Sequence, residues 1–238
     1  MKRFWDTATI EPGEAGYTIL LDGKPLHLPG GPLLRVEAEP LARAIAAEWQ
    51  AAGGGKGGEM SFADTPLTRL AGTAQLRIAP DPAPTIEAIA RFAESDLLCY
   101  RAEAPEALVR RQMRAWQPWL DWAALTYDAP LRVSTGVAYV KQPDESLAVL
   151  RRAVAALDVA AVAALGLAVP ALGSLVLGLA LAERQLDAAT AHALGCLDEL
   201  FQAEAWGEDA AAVARRAAIA EEIELAARFL QLTRGAAS

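Results

Sequence analysis

From Val159 to Ala182 the chain runs without a charged residue, bounded by Asp158 and Glu183. A stretch of that length either crosses a bilayer, which takes about 20 apolar residues, or packs inside a protein. The residue types favour the second fate. The segment is rich in Ala and Gly, which enter lipid less readily than Leu or Ile. Pro170, Gly173 and Ser174 sit near its middle, where a turn between two shorter helices is natural. No aromatic belt flanks it, and the nearby basic residues are Arg151, Arg152 and Arg184. The expectation is a buried helical hairpin, around which the remaining chain must be arranged, and no membrane insertion.

The other 238-residue totals agree with a helical protein. Hydrophobic residues make up 53%, much of it Ala, and charged residues 22%. Ala costs least in a helix, so this composition suits helices packed closely together. The formal net charge of -8 argues against a nucleic-acid partner, which calls for a basic face. Cys99 and Cys196 lie in separate helical stretches without CxxC or Cys/His spacing, and read as small buried thiols, a disulfide being disfavoured. The opening Met-Lys-Arg-Phe-Trp-Asp has no apolar run and does not look like a secretory signal.

Periodicity divides the chain into two parts. Tyr17–Leu21 is β-rich, Asp22-Gly23 signals a hairpin turn, Pro25–Leu28 returns with alternation, and Leu33–Val36 makes a third short strand. A helix opened by Glu39 and Pro40 carries Leu41, Ile45, Ala46 and Trp49 at helical spacing and stops at the glycine run 53–58. That run is not a phosphate loop, because Lys56 is followed by Gly57 and no strand precedes it. From Thr65 onward the pattern is helical. It is interrupted at Leu131–Ser134 and Val137–Val140, and resumes over about 144–156, 158–168, 172–184, 187–205 and 209–233. Strands followed by helices predict an α+β fold with segregated parts: an N-terminal antiparallel strand and helix domain over 1–82, then a larger all-helical domain over 83–238.

Residues able to carry chemistry are few. His27 and His192 fall in different domains and lack an HExxH-type partner, so no metal site is expected. Ser174 has no nucleophile-elbow context and reads as a helix N-cap. Asp198-Glu199 and Glu221-Glu222 are adjacent on helices, about 100° apart, too divergent to share a proton. Asp96, Tyr100 and Arg101 stand at i, i+4 and i+5 and leave open an alternative, a small-molecule hydrolase site; structural pairing explains them equally. Trp116, Trp119 and Trp122, with Gln112 one turn earlier, form either a core stripe or an aromatic surface. Glu199, Gln202 and Trp206 lie along one strip of a helix that Gly207 ends.

An ordered set of motifs gives these pieces a context. Leu21-Asp-Gly-Lys-Pro25, Ala47-Glu-Trp-Gln50, Pro66-Leu-Thr-Arg-Leu70, Asp96-Leu-Leu-Cys-Tyr-Arg101, Gln112 with Trp116, Pro118 and Trp122, then Gly173-Ser174 and Gln202 with Trp206-Gly207 occur in that sequence. The whole, over roughly residues 3 to 232, resembles the ATP synthase assembly-chaperone family usually called ATP-twelve. The resemblance implies a small N-terminal α/β domain, a larger helical domain, no catalytic activity and no cofactor. It implies that the chain binds the free alpha subunit of the catalytic sector and shields it from aggregation until beta arrives. Glu199 is matched to an acidic position tied to function in that family, and partner contacts are expected at Glu199, Gln202, Trp206, Glu208, Asp96, Arg101 and Gln112. Thr65, Gly72, the 53–58 loop and alanines at 210–212 depart from the pattern. The absence of a transit peptide points to a bacterial cytoplasmic member, monomeric when free.

Overall fold

The structure, a computed structural model, describes residues 1–14, 16–136 and 138–234. It contains two compact units: Met1–Pro82 together with the chain from Arg228 onward, and Ala83–Ala227. The expectation of a single domain over 83–238 did not include that return of the C-terminal segment to the first unit.

In the first unit, β1 (Ala8–Gly13) and β2 (Gly16–Leu21) run antiparallel with Ala8 opposite Leu21 and Ile10 opposite Ile19. β3 (Lys24–Pro25) and β4 (Arg35–Val36) both pair with the other edge of β2. Asp22 and Gly23 turn the β2–β3 hairpin with φ of 47° and 76°, the left-handed pair that matches strand twist. β1 was not anticipated: Thr9-Ile-Glu-Pro12 is polar and carries a proline, which an edge strand tolerates because one side of it needs no ladder.

α1 (Glu39–Ala51) covers this sheet with Leu41, Ile45 and Trp49, as its spacing requires. Trp5 lies fully buried against Trp49 and donates its indole N–H to the Trp49 carbonyl at 3.0 Å. Arg3, also buried, gives its guanidinium to the carbonyls of Trp5, Asp6, Gln50 and Ala52, two of them at the C-terminal end of α1. A cation there meets the negative end of the helix dipole. Glu48 reaches from α1 to accept the N–H groups of Leu67 and Thr68, capping α2 (Pro66–Thr73). α2 runs on into a π-helical turn at Ala74–Ile78, closed by Ala79 N–H to the Ala74 carbonyl.

In the second unit, α3 (Ala83–Ala90) and α4 (Glu106–Tyr127) pack on the uncharged stretch, and α5 (Asp144–Ala155) packs on α3 and α4. That stretch is a helical hairpin: α6 (Val159–Leu172), a turn at Gly173 with φ 64°, and α7 (Leu175–Ala182), whose residues are all buried. Asp158 caps α6 through Ala161 N–H at 2.7 Å, and the Ser174 hydroxyl caps α7 through Leu177 N–H at 3.1 Å. No helix among the described residues is long and apolar enough to cross a membrane.

The segment before α5 is pinned by Gln142, which accepts Arg132 N–H at 2.7 Å and donates to the Arg132 carbonyl at 2.9 Å. Within it β6 (Ser134–Thr135) pairs in parallel with β5 (Tyr100–Arg101). The extended reading of Val137–Val140 begins at Val137, which lies outside the described residues.

The helix expected over 187–205 is two: α8 (Ala188–Gly195) and α9 (Leu197–Trp206). Trp116 supplies a reason. Its indole N–H takes the Leu194 carbonyl at 3.0 Å, the group an unbroken helix would give to Asp198 N–H. α10 (Ala210–Thr233) follows, its N-terminus capped by Asp209 through Ala212 N–H at 2.9 Å.

Candidate functional site

The seven residues singled out as partner contacts separate into an interior group and a surface group. Asp96 is wholly buried at the foot of α7. Its carboxylate accepts Leu98 N–H and Val176 N–H, each at 3.1 Å, with further bonds from Leu175 N–H and the Ser174 side chain. Burial pushes its pKa up to about 6 against the lowering effect of these donors, so it is ionised at neutral pH and complements the positive end of the α7 dipole. The neighbouring Cys99 thiol is driven up to about 12 by burial and the adjacent Asp96 charge, which leaves it inert.

Arg101 and Gln112 form a second buried knot. The Arg101 guanidinium lies over the Trp116 ring, 5.4 Å from its centre, and donates to the carbonyls of Leu98 at 2.8 Å and Gln112 at 2.9 Å. Its other terminal nitrogen, Nη2, is buried without a hydrogen-bond partner among the described residues. Gln112 accepts Ala102 N–H at 2.8 Å and donates to Asp198 on α9 at 2.7 Å. Arg101 Nη2 apart, Asp96, Arg101 and Gln112 therefore direct their polar groups to this chain's own backbone, to Ser174 and to Asp198 of α9. A carboxylate sealed in this way offers no approach to a small substrate, which counts against the hydrolase alternative at Asp96, Tyr100 and Arg101. Spacing could not distinguish such inward-facing polar residues from a surface.

Glu199, Gln202, Trp206 and Glu208 lie at the surface, on α9 and the turn into α10. Glu199 is half-exposed and pairs with Arg215 at 2.9 Å, with Arg216 at 3.9 Å. Arg216 is largely buried, also pairs with Glu208, and its carbonyl accepts His192 Nε2–H at 3.0 Å. Gln202 is exposed, and Trp206, one turn further on, is 82% exposed. Glu204 between them forms a two-pronged pair with Arg111 of α4, both distances 2.8 Å, and Arg111 lies over the Phe201 ring at 5.2 Å. Sequence reasoning missed Arg111, Glu204, Arg215 and Arg216, whose partners stand on other helices. The arrangement is an acidic helix edge tied down by arginines, ending in a large apolar side chain left in water. Among the described residues no group of His, Cys, Asp and Glu is placed to hold a metal ion.

The family model described as ATP12 chaperone protein matches residues 2–124. The chain belongs to the ATP12 chaperone family. The crystal structure of Atp12 from Paracoccus denitrificans is 44% identical over 98% of both chains, with a TM-score of 0.92. A structure of P. denitrificans Atp12p in which one aspartate is replaced by lysine gives the same TM-score at 43% identity, again over 98% of each chain. A protein described as a putative chaperone from Agrobacterium tumefaciens is 39% identical, with a TM-score of 0.90, over 97% of this chain and 85% of that one. The small antiparallel part followed by a helical part, anticipated from the order of the periodicities, is thus the ATP12 family's fold, and the chain is a bacterial member of a chaperone family.

Proposed function

We propose that this chain serves assembly of the ATP synthase catalytic sector by binding the unassembled alpha subunit and keeping it from aggregating until it joins beta. Family membership supports the chaperone role, and one structural observation carries the binding surface. Trp206 stands 82% exposed at the end of α9, beside exposed Gln202 and between Glu204 and Glu208. A tryptophan buries about 150–250 Å² when covered, and its exposure in a folded monomer is best repaid by a partner. The acidic rim steers a complementary subunit surface and keeps the contact reversible, as a chaperone that must release its client requires.

The proposed client face is Glu199, Gln202, Trp206 and Glu208. Asp96, Arg101 and Gln112 act behind it as supports, Gln112 through its bond to Asp198. In this reading the chain is a monomer when free, works in a bacterial cytoplasm, and needs neither catalysis nor a cofactor.

The test is light scattering of isolated alpha subunit at its aggregation temperature. Near-equimolar wild-type chain should suppress the rise without nucleotide, and Trp206→Ala should suppress it at least several-fold less well while melting at the same temperature. Scattering unchanged by the wild-type chain would overturn the proposal. Suppression equal in the two proteins would move the contact away from α9.

A further inference from the structure

The outward face of α4 is basic in an acidic molecule. Ala107, Arg110, Arg111, Arg114 and Ala115 follow each other at i, i+3, i+4, i+7 and i+8, and line a trough of about 390 Å³. Alanines keep its floor low while the three guanidiniums form its walls. Leu125, 87% exposed, lies on the same face three turns beyond Arg114. A chain of net charge -8 has gathered three of its cations within five residues here.

The charges are also available. Arg110 pairs with exposed Glu106 in its own helix, and Arg111 with exposed Glu204. Ion pairs of this kind are worth about 0–1 kcal/mol, so an incoming carboxylate can replace either one cheaply. Arg114 has no ion-pair partner among the described residues. Arginine also presents paired N–H donors that fit a carboxylate in two-pronged fashion, which lysine does not. Finally, the Arg111–Glu204 pair links this face to the turn of α9 that ends in Trp206.

We infer that the Arg110–Arg111–Arg114 face of α4 docks an acidic segment of the client, its carboxylates replacing Glu106 and Glu204 on the arginines. The inference rests on the client-binding reading above and adds a second, oppositely charged contact to it. Charge complementarity selects the occupant. Three cations in a molecule this acidic are too few to hold an anionic bilayer or a nucleic-acid backbone, whereas two or three carboxylates of one peptide segment match them in number.

Two ligands test it with the full-length chain: a fluorescent peptide of alternating Glu and Ala, and isolated alpha subunit. At low salt the wild-type chain should bind the peptide, and binding should fall steeply as salt rises. Arg110→Glu/Arg114→Glu should weaken both peptide and alpha-subunit binding about tenfold or more, with its melting temperature checked by circular dichroism. If the double variant does not fold, Arg114→Gln alone, at an exposed side chain without an ion-pair partner among the described residues, should still weaken both about threefold. Folded variants that bind both ligands like wild type would overturn the inference while leaving the proposed function standing. Peptide binding through these arginines without any alpha-subunit binding would leave the acidic-segment site standing and sink the client assignment. Failure of the peptide to bind at low salt would overturn the site, as would arginine-dependent binding to phosphatidylglycerol vesicles or to a second copy of the chain in place of the peptide.

Discussion

Trp116 is fully buried, its N–H spent on the Leu194 carbonyl and its face covered by the Arg101 guanidinium. Trp116→Ala leaves a large cavity, removes a partner from a buried carbonyl and strips a cover from a buried cation. The expected loss is about 3–5 kcal/mol, read from urea denaturation of the variant against wild type. Asp96 makes a prediction in pH. Its pKa is raised from 3.8 to about 6 by burial, so the folded state holds this proton more tightly than the unfolded one. The cost of the buried charge is then present in full above pH 6, shrinks as pH falls, and is absent below about 3.8. Between pH 7 and pH 4 the wild-type protein should gain on the order of 2–3 kcal/mol relative to Asp96→Asn, which has no proton to take up. A difference that stays constant with pH would mean that the backbone and serine donors around Asp96 fully offset its burial.

At the scale of helices and strands, α6 and α7 set two effects in opposition at Gly178. Helix propensity alone favours Gly178→Ala by about 1 kcal/mol. A Cβ at that position, however, would lie 2.4 Å from Val169 Cγ2 on the facing helix, a contact that stiff, β-branched Val169 cannot easily relieve. Overpacking of this kind costs about 1–3 kcal/mol, so the variant should unfold at lower denaturant than wild type; a stabilised variant would mean that the helices can part. This hairpin was legible because a long uncharged run broken by glycine and serine has few other soluble solutions. The β2–β3 turn, α1 and α4 were legible for similar local reasons. What escaped was non-local. The split between α8 and α9 depends on a tryptophan 78 residues away from Leu194, and Asp96 meets Val176 across 80 residues. At the candidate site, the strip of Gln202 and Trp206 could be read from spacing on one helix. The pairing of Glu199 with Arg215 and Arg216 could not, and it changes the design of a test: Glu199→Lys would place three cations together. Glu199→Gln is the better variant, expected to change stability by under about 1 kcal/mol, because the lost pairs are partly exposed.

For the molecule as a whole, the two units are not two successive lengths of chain. The first contains Met1–Pro82 and also the segment from Arg228, in which Phe229 is 1% exposed and Leu230 is buried. The first unit is therefore not complete until the last turns of α10 are made. Closing a unit from opposite ends of a chain requires nearly all of the intervening chain to be ordered or looped, which costs entropy and slows folding. Phe229→Ala tests this, since it removes one of the largest fully buried side chains, worth about 3–5 kcal/mol. Amide hydrogen exchange should then accelerate across β2 and α1, more than two hundred residues earlier in the sequence for Ile19. The buried hairpin of α6 and α7, which belongs to the other unit, should keep its protection. Acceleration confined to α10 would show that the first unit is held together by residues 1–82 alone. Loss of protection in β2 and in α7 to the same extent would show instead that the molecule opens only as a whole, with its stability shared between the units rather than assigned to each.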